Sequence, residues 1–237
     1  QKMCSAWLKL RWFLLLAFLV RLTSDVFCVA QPLVLVRHDA FVSYYDCSVL
    51  NPACVVWVLT PEAFQGNLKP TTRHFKTDTQ LPTPRVKDSD LRGTGYVRGH
   101  LCPAGDRDSD KGLLKQTYLT SNLSPMTMVC NSGPWKAVED SCRALAVSHG
   151  RLLLAAGGIF MNCDTISDGR KKIFVPSKFW KMAKCLNHPG EVWIWIVQNS
   201  SSWSAPVRIS RNELESVLPT AVRNTGILDN LFSLGLN

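Results

Sequence analysis

The sequence predicts one mixed α+β domain, and three observations carry that expectation. Short apolar runs separated by turn residues recur in both halves of the chain. One stretch near the middle, 133–147, shows helical spacing instead. No repeat or low-complexity segment divides the 237 residues, and at 46% hydrophobic and 19% charged they are sufficient for one substantial core.

Taken in order, Leu33 to Val36, Ala40 to Tyr45 and Cys54 to Leu59 read as strands that begin a sheet. Residues 61–95 are polar and rich in Thr, Asp, Pro and Lys, the composition of a long surface excursion on the ligand side. Gly95 and Gly99 permit special backbone conformations and Pro103 ends regular structure, so His100 is expected at an exposed strand end. A short helix is predicted over 108–115, then a strand over 116–123 that stops at Ser124-Pro125. In 133–147, Pro134 suits a first turn, and Trp135, Val138, Cys142, Leu145 and Ala146 share a face. Residues 151–156, 172–175 and 192–197 complete the core sheet, with 179–185 joining it or packing across it. Ser210 and Glu213 have capping-box spacing and open a last helix.

The N-terminus has Lys2, Lys9 and Arg11 ahead of a nine-residue apolar run from Trp12 to Val20, too short for a transmembrane span of roughly 20 residues. Residues 1–30 therefore read as a signal peptide cleaved near Ala30, with a retained N-terminal anchor or lipid attachment at Cys28 as alternatives. That segment holds four Lys/Arg and one Asp, so its removal lowers the net charge from +9 to +6 and leaves a chain suited to a polyanionic partner. Seven cysteines remain: 47, 54, 102, 130, 142, 163 and 185. Export would let them oxidise, Cys47 and Cys54 are the easiest local pair, and the odd total leaves one thiol free or intermolecular. No Cys-x-x-Cys or His-x-x-x-His spacing occurs, which argues against a structural zinc site. Cys102, between Leu101 and Pro103, reads as a core or disulfide residue rather than a nucleophile.

The informative stretch is Gly95-Tyr-Val-Arg-Gly-His-Leu-Cys-Pro-Ala-Gly105. An imidazole with an ordinary pKa of about 6.5 can take a proton from water near neutrality, and a guanidinium matches phosphate oxygens. Arg98 and His100 thus offer complementary roles in phosphodiester chemistry.

Val97-Arg98-Gly99-His100 resembles the D-R-G-H signature of the DNA/RNA non-specific endonucleases, the ββα-metal nuclease family. Asn131-Ser-Gly-Pro-Trp-Lys-Ala-Val-Glu139 resembles that family's N-x-G-x-W segment with its Glu eight residues on. On one continuous helix those eight residues rise about 12 Å and turn Glu139 about 80° from Asn131, so both can border one cleft. Arg73-His-Phe-Lys-Thr-Asp78 resembles the segment whose leading Arg reaches substrate phosphate, with His74 a bystander, and Asn122 matches the N-x-S/T-P ahead of the metal helix. The resemblance runs from Val56 to Ile209 and departs from the pattern twice: Val97 replaces an acidic residue and Met126 a Gln.

The resemblance implies a ββα-metal nuclease fold, with a central, mainly antiparallel sheet and flanking helices, as a single domain over 31–237. It implies catalysis by His100 as general base, Arg98 at phosphate and Glu139 holding a metal-bound water. Asn131 is then the direct ligand of a hydrated Mg²⁺, with Mn²⁺ as an alternative, Arg73 a second phosphate contact, and Asn122 a supporting residue. The expected activity is hydrolysis of DNA and RNA with little sequence preference, in a secreted or periplasmic protein without stable membrane association after cleavage, a homodimer remaining open. The alternative, motivated by Val97 and Met126, is a catalytically weakened fold that binds nucleic acid or another polyanion. Asn122 and Asn199 also lie in N-x-S sequons, which matter only in a eukaryotic secretory pathway.

Overall fold

Among the described residues, eleven strands form in chain order: β1 (Val34–Arg37), β2 (Val42–Asp46), β3 (Asn51–Leu59), β4 (Val97–His100), β5 (Leu123–Met126), β6 (Leu152–Ile159), β7 (Thr165–Ser167), β8 (Lys172–Phe174), β9 (Lys178–Cys185), β10 (Val192–Gln198) and β11 (Val207–Arg208). The helices are α1 (Lys111–Gln116), α2 (Met128–Ser132), α3 (Pro134–His149), α4 (Arg211–Val217), α5 (Thr220–Arg223) and α6 (Ile227–Ser233). This computed structural model describes residues 33–70, 74–188, 190–218, 220–223 and 225–233. The leader expected at 1–30 lies outside them, as does Arg73.

Seven strands form one sheet in the order β1-β2-β3-β6-β9-β10-β11, antiparallel at every pairing. All eight residues of β6 are buried, because the sheet is covered on both faces. On one face Trp57, Leu154, Ala156, Phe179 and Ala183 pack with Trp135, Val138, Cys142 and Ala146 of α3. On the other, Leu153, Ala155, Trp180 and Met182 pack with Leu214, Val222, Ile227 and Leu231 from the C-terminal helices. The expected capping box is present, with Ser210 accepting from the Glu213 N–H and Glu213 from the Ser210 N–H; the short helix expected over 108–115 forms as α1, which Asp110 caps at the Leu113 N–H.

Four local expectations change. The segment 61–95 is not simply a surface excursion, since Phe75, Val86 and Leu91 bury with Leu50, Leu123 and Ile173 in a third apolar cluster. The strand expected over 116–123 begins only at Leu123, after a turn and a 3₁₀ turn at Thr120–Asn122, and it runs through Pro125. Pro125 is tolerated because Leu101 N–H bonds to Asn122 O, and the antiparallel alternation then places the Arg98–Pro125 pair at a non-hydrogen-bonded position. Lys172–Phe174 pairs with β7 in a separate hairpin, whereas 179–185 lies within β9, an interior strand of the large sheet. Lastly, all seven described cysteines are free. Cys54 enters the core under the C-terminal helices while Cys47 packs against the Val36–Tyr45–Leu81 cluster, so the pair is held apart.

The fold positions the chemistry through Asn122, which is fully buried. Its Oδ1 accepts from the Cys102 N–H at 2.8 Å, and its Nδ2 donates to the Cys102 and Thr117 carbonyls, each at 2.9 Å. These bonds fix the chain directly after His100, and they leave that sequon's amide no room for a glycan. Asn122→Ala strands three buried backbone groups and is expected to cost about 2–4 kcal/mol. Urea unfolding at neutral pH measures this, and an unchanged midpoint would rule out the bracing role.

Candidate active site

β4 and β5 form a two-stranded ribbon with Val97 opposite Met126 and His100 opposite Leu123. Side chains alternate along a strand, so Arg98 and His100 share one face and Val97 and Gly99 the other. Val97 packs against the main core, and Met126, fully buried, covers Gly99 so closely that a Cβ there would collide with its side chain. The two departures from the motif are therefore cross-strand partners, an apolar pair where the pattern carries an acidic residue and a glutamine.

His100 is at the strand end, as its sequence implies, but it is half-buried rather than exposed. Its ring lies between Phe75 and Tyr118, with centroids 4.7 Å away in each case. Phe75 is brought there over a long sequence separation, because Lys76 N–H bonds to Tyr118 O and Thr120 N–H to Lys76 O. Nε2 is enclosed and has no hydrogen-bond partner among the described residues, whereas Nδ1 is not enclosed. Burial without an acceptor disfavours the imidazolium and lowers the His100 pKa to about 4, so the ring is neutral at pH 7. The backbone is pinned as well: Trp135 Nε1 of α3 donates to His100 O at 3.1 Å.

Arg98 lies against Asp88, with Nε 2.6 Å from Oδ1 and Nη2 donating to the Asp88 carbonyl at 2.7 Å. Burial alone would raise the Asp88 carboxyl, but the Phe75 N–H, the His74 ring and Arg98 hold it below the usual carboxylate range. Two of the guanidinium nitrogens are thus committed to Asp88.

Asn131 and Glu139 do not share a helix. Gly133, at φ −109° and ψ −104°, separates α2 from α3, and the continuous-helix geometry expected from their spacing does not apply. A Cβ at Gly133 would lie 2.8 Å from Val129 O and 3.2 Å from the ring of Trp203, so the break needs glycine. The Asn131 side chain is half-buried and hydrogen-bonds to no described residue. Glu139 instead points inward, 3.8 Å from Lys181 Nζ and 4.0 Å from Arg143 Nη2. Burial pushes its carboxyl up to about 7 against the pull of Lys181 and Arg143.

Lys181, Asp106 and Arg143 are the residues that motif reasoning misses. Lys181 is buried on β9, donates to Leu101 O at 3.4 Å and lies 4.2 Å above the Trp135 ring. Asp106 accepts from Arg143 Nε at 2.9 Å and Trp57 Nε1 at 3.0 Å. A signal for Lys181 existed: Phe179, Lys181, Ala183 and Cys185 alternate onto the core face of one strand, and a lysine in that register requires a partner. Cys102 is no nucleophile, since burial pushes its thiol up to about 12.

A ββα unit that presents a histidine on its ribbon and an asparagine ahead of its helix defines a class of nuclease fold, and comparison with known proteins agrees. A crystal structure of an EndoG/EndoGI complex superposes with a TM-score of 0.68 at 21% identity, over 80% of this chain and 86% of that one. The DNA/RNA non-specific endonuclease profile matches residues 24–220, and the chain belongs to that family. A nuclease of Nostoc sp. is 31% identical over 179 residues, 69% of this chain and 63% of its own length. Human mitochondrial endonuclease G is 26% identical over 156 residues, 61% of this chain and 52% of its own. Human mitochondrial nuclease EXOG is 27% identical over 149 residues, 58% of this chain and 40% of its own. The chain thus spans 40% to 63% of the length of these relatives.

Two measurements test this geometry. Val97→Asp places a carboxylate against an apolar core and is expected to cost about 1–3 kcal/mol, and adding Met126→Gln should recover part of that loss. Strict additivity in the double variant would show that the pair is uncoupled. His100, with its pKa lowered from 6.5 to about 4, binds fewer protons folded than unfolded in that window, so its contribution to stability falls as pH drops from 6.5 toward 4. Glu139, raised from 4.5 to about 7, acts in the opposite sense over an overlapping range. The difference in unfolding free energy between the native chain and His100→Gln isolates the histidine and should change by about 2–3 kcal/mol between pH 7 and pH 4. A flat difference would contradict a buried neutral imidazole.

Proposed function

We propose that this chain is a metal-dependent endonuclease that hydrolyses phosphodiester bonds of DNA and RNA with little sequence preference. The observation that carries the reading is a neutral imidazole with Nδ1 accessible and Nε2 enclosed, on a turn pinned by Trp135 to the helix that follows Asn131. Such an imidazole is in its base form at neutral pH, and the same burial that keeps it there makes it a weaker base than a solvated histidine.

The side chain of Asn131, with no described hydrogen bond, fits a hard cation that retains most of its waters, Mg²⁺ or Mn²⁺. Such an ion supplies positive charge to the phosphoryl and leaving oxygens. His100 takes the proton of the attacking water at Nδ1 and releases it to solvent after the bond breaks, because an enclosed imidazolium lacking an acceptor is unstable. Arg98, steadied by Asp88, turns its remaining nitrogen toward phosphate, and Arg73 is the second phosphate contact. Glu139 acts by holding Lys181 beneath the turn, with any contact to metal-bound water secondary to that ion pair. Contacts to the phosphate backbone carry no base information, which accounts for low sequence preference. The basic-then-apolar N-terminal segment supports an exported protein.

A second reading, a binding module with little catalysis, draws on the apolar Val97–Met126 pair. Plasmid DNA and RNA incubated with purified protein and Mg²⁺ should both be cleaved, with EDTA stopping the reaction. His100→Ala and Asn131→Ala should each lower the rate about 100-fold or more while the fold persists. Intact substrates with Mg²⁺ and with Mn²⁺ would overturn the enzyme reading, and binding unchanged by His100→Ala would then select the module.

A further inference from the structure

We infer that the chain carries a second metal site, suited to Zn²⁺, at the turn between β9 and β10. Cys185 ends β9, His188 lies in the turn and Glu191 precedes β10. A thiol sulfur, a ring nitrogen and a carboxylate oxygen from these residues all lie within 4.8 Å of one another. Cys185 Sγ and His188 Nδ1 are 3.7 Å apart. A tetrahedral Zn²⁺ with bonds of about 2.3 Å to sulfur and about 2.0 Å to nitrogen sets those atoms about 3.5 Å apart, so the ion needs little rearrangement.

The turn is set by its own backbone. His188 N–H points at Cys185 Sγ at 3.3 Å, Glu191 N–H bonds to His188 O at 2.9 Å, and Cys185 N–H bonds to Glu191 O at 3.0 Å. A supporting shell is also in place. His149, the last residue of α3, sets Nε2 3.4 Å from Glu191 Oε2 and packs edge-on against Trp193 at 5.1 Å. Ligating carboxylates in metal sites are commonly held by such an outer polar partner.

The donor set decides the ion. Thiolate and imidazole favour a borderline-soft cation over Mg²⁺ or Ca²⁺, and the carboxylate disfavours Cu(I). Cys185 is buried while His188 and Glu191 are exposed, so the ion enters from solvent, a water takes the fourth position, and binding releases the Cys185 thiol proton to solvent. The Cys-x-x-His-x-x-Glu spacing, with its carboxylate ligand, is neither a Cys-x-x-Cys nor a His-x-x-x-His pattern.

The site is distinct from the nuclease centre. His149 closes α3 and Asn131 precedes its start, and a 16-residue helix spans about 24 Å. Zn²⁺ here would fasten the β9–β10 hairpin to the end of the helix that carries Trp135 and Glu139. The inference does not rest on the nuclease reading.

Protein stripped of metal with a chelator and titrated with Co²⁺ should bind one equivalent that shows a thiolate-to-cobalt charge-transfer band, displaced by Zn²⁺. Cys185→Ser should lose that band. His188→Ala and Glu191→Gln, both at exposed positions, should weaken Zn²⁺ binding roughly tenfold or more while circular dichroism stays native, which keeps the test valid if Cys185→Ser folds poorly. A missing thiolate band, a band retained in a folded Cys185→Ser, or native affinity in both His188→Ala and Glu191→Gln would each overturn the site.

Discussion

The ammonium group of Lys181 is the constraint on which the rest of the structure depends. It is buried in the centre of the molecule, where a charge out of water costs several kcal/mol unless it is paired and surrounded by polar groups. Its four partners come from three parts of the fold: the carboxyl of Glu139 on α3 and the Trp135 ring of the same helix at 4.2 Å, the Trp57 ring of β3 at 5.2 Å, and Leu101 O directly after β4. The lysine itself belongs to β9. No local piece of chain can satisfy it, so the charge is compensated only when the sheet, the helix and the His100 turn are assembled together. Cooperative folding and site geometry are thereby one requirement.

Around that cation the site divides into a dry side and a wet side. Trp135 donates to the His100 carbonyl, and Asn122 closes the turn behind it. Phe75 and Tyr118 shield one ring nitrogen and leave the other accessible. The aromatic slot lowers the ring's basicity and keeps the imidazole unprotonated across the physiological range. Asp88 performs the corresponding service for Arg98, and Asp106 for Arg143.

How much of this was legible in the sequence follows from where the determining contacts lie along the chain. The main helix and the strand end that carries His100 could be read because each sits in a short motif whose spacing is chemical, whereas the second strand of the ribbon lies further along the chain than its sequence suggests. The burial of His100 could not, since Phe75 and Tyr118 reach it through backbone pairing between distant segments. The break at Gly133 was disguised by Pro134, which correctly marks a helix start but conceals that another helix has just ended. Pro125 misled in the opposite direction, because a narrow ribbon has positions where a missing N–H goes unnoticed. The cysteines invited pairing on composition, yet strand faces keep Cys47 and Cys54 in different clusters.

The organising role of Lys181 is tested most directly by a double-mutant cycle of Lys181→Met and Glu139→Gln, read as unfolding free energy in urea at pH 8. Each single change leaves one buried group without its partner and should cost about 3–5 kcal/mol, while the double variant, with the charge pair removed, should cost much less than the sum. Additive losses would contradict the account, because they would mean that the buried cation and the helix carboxyl do not hold one another in place.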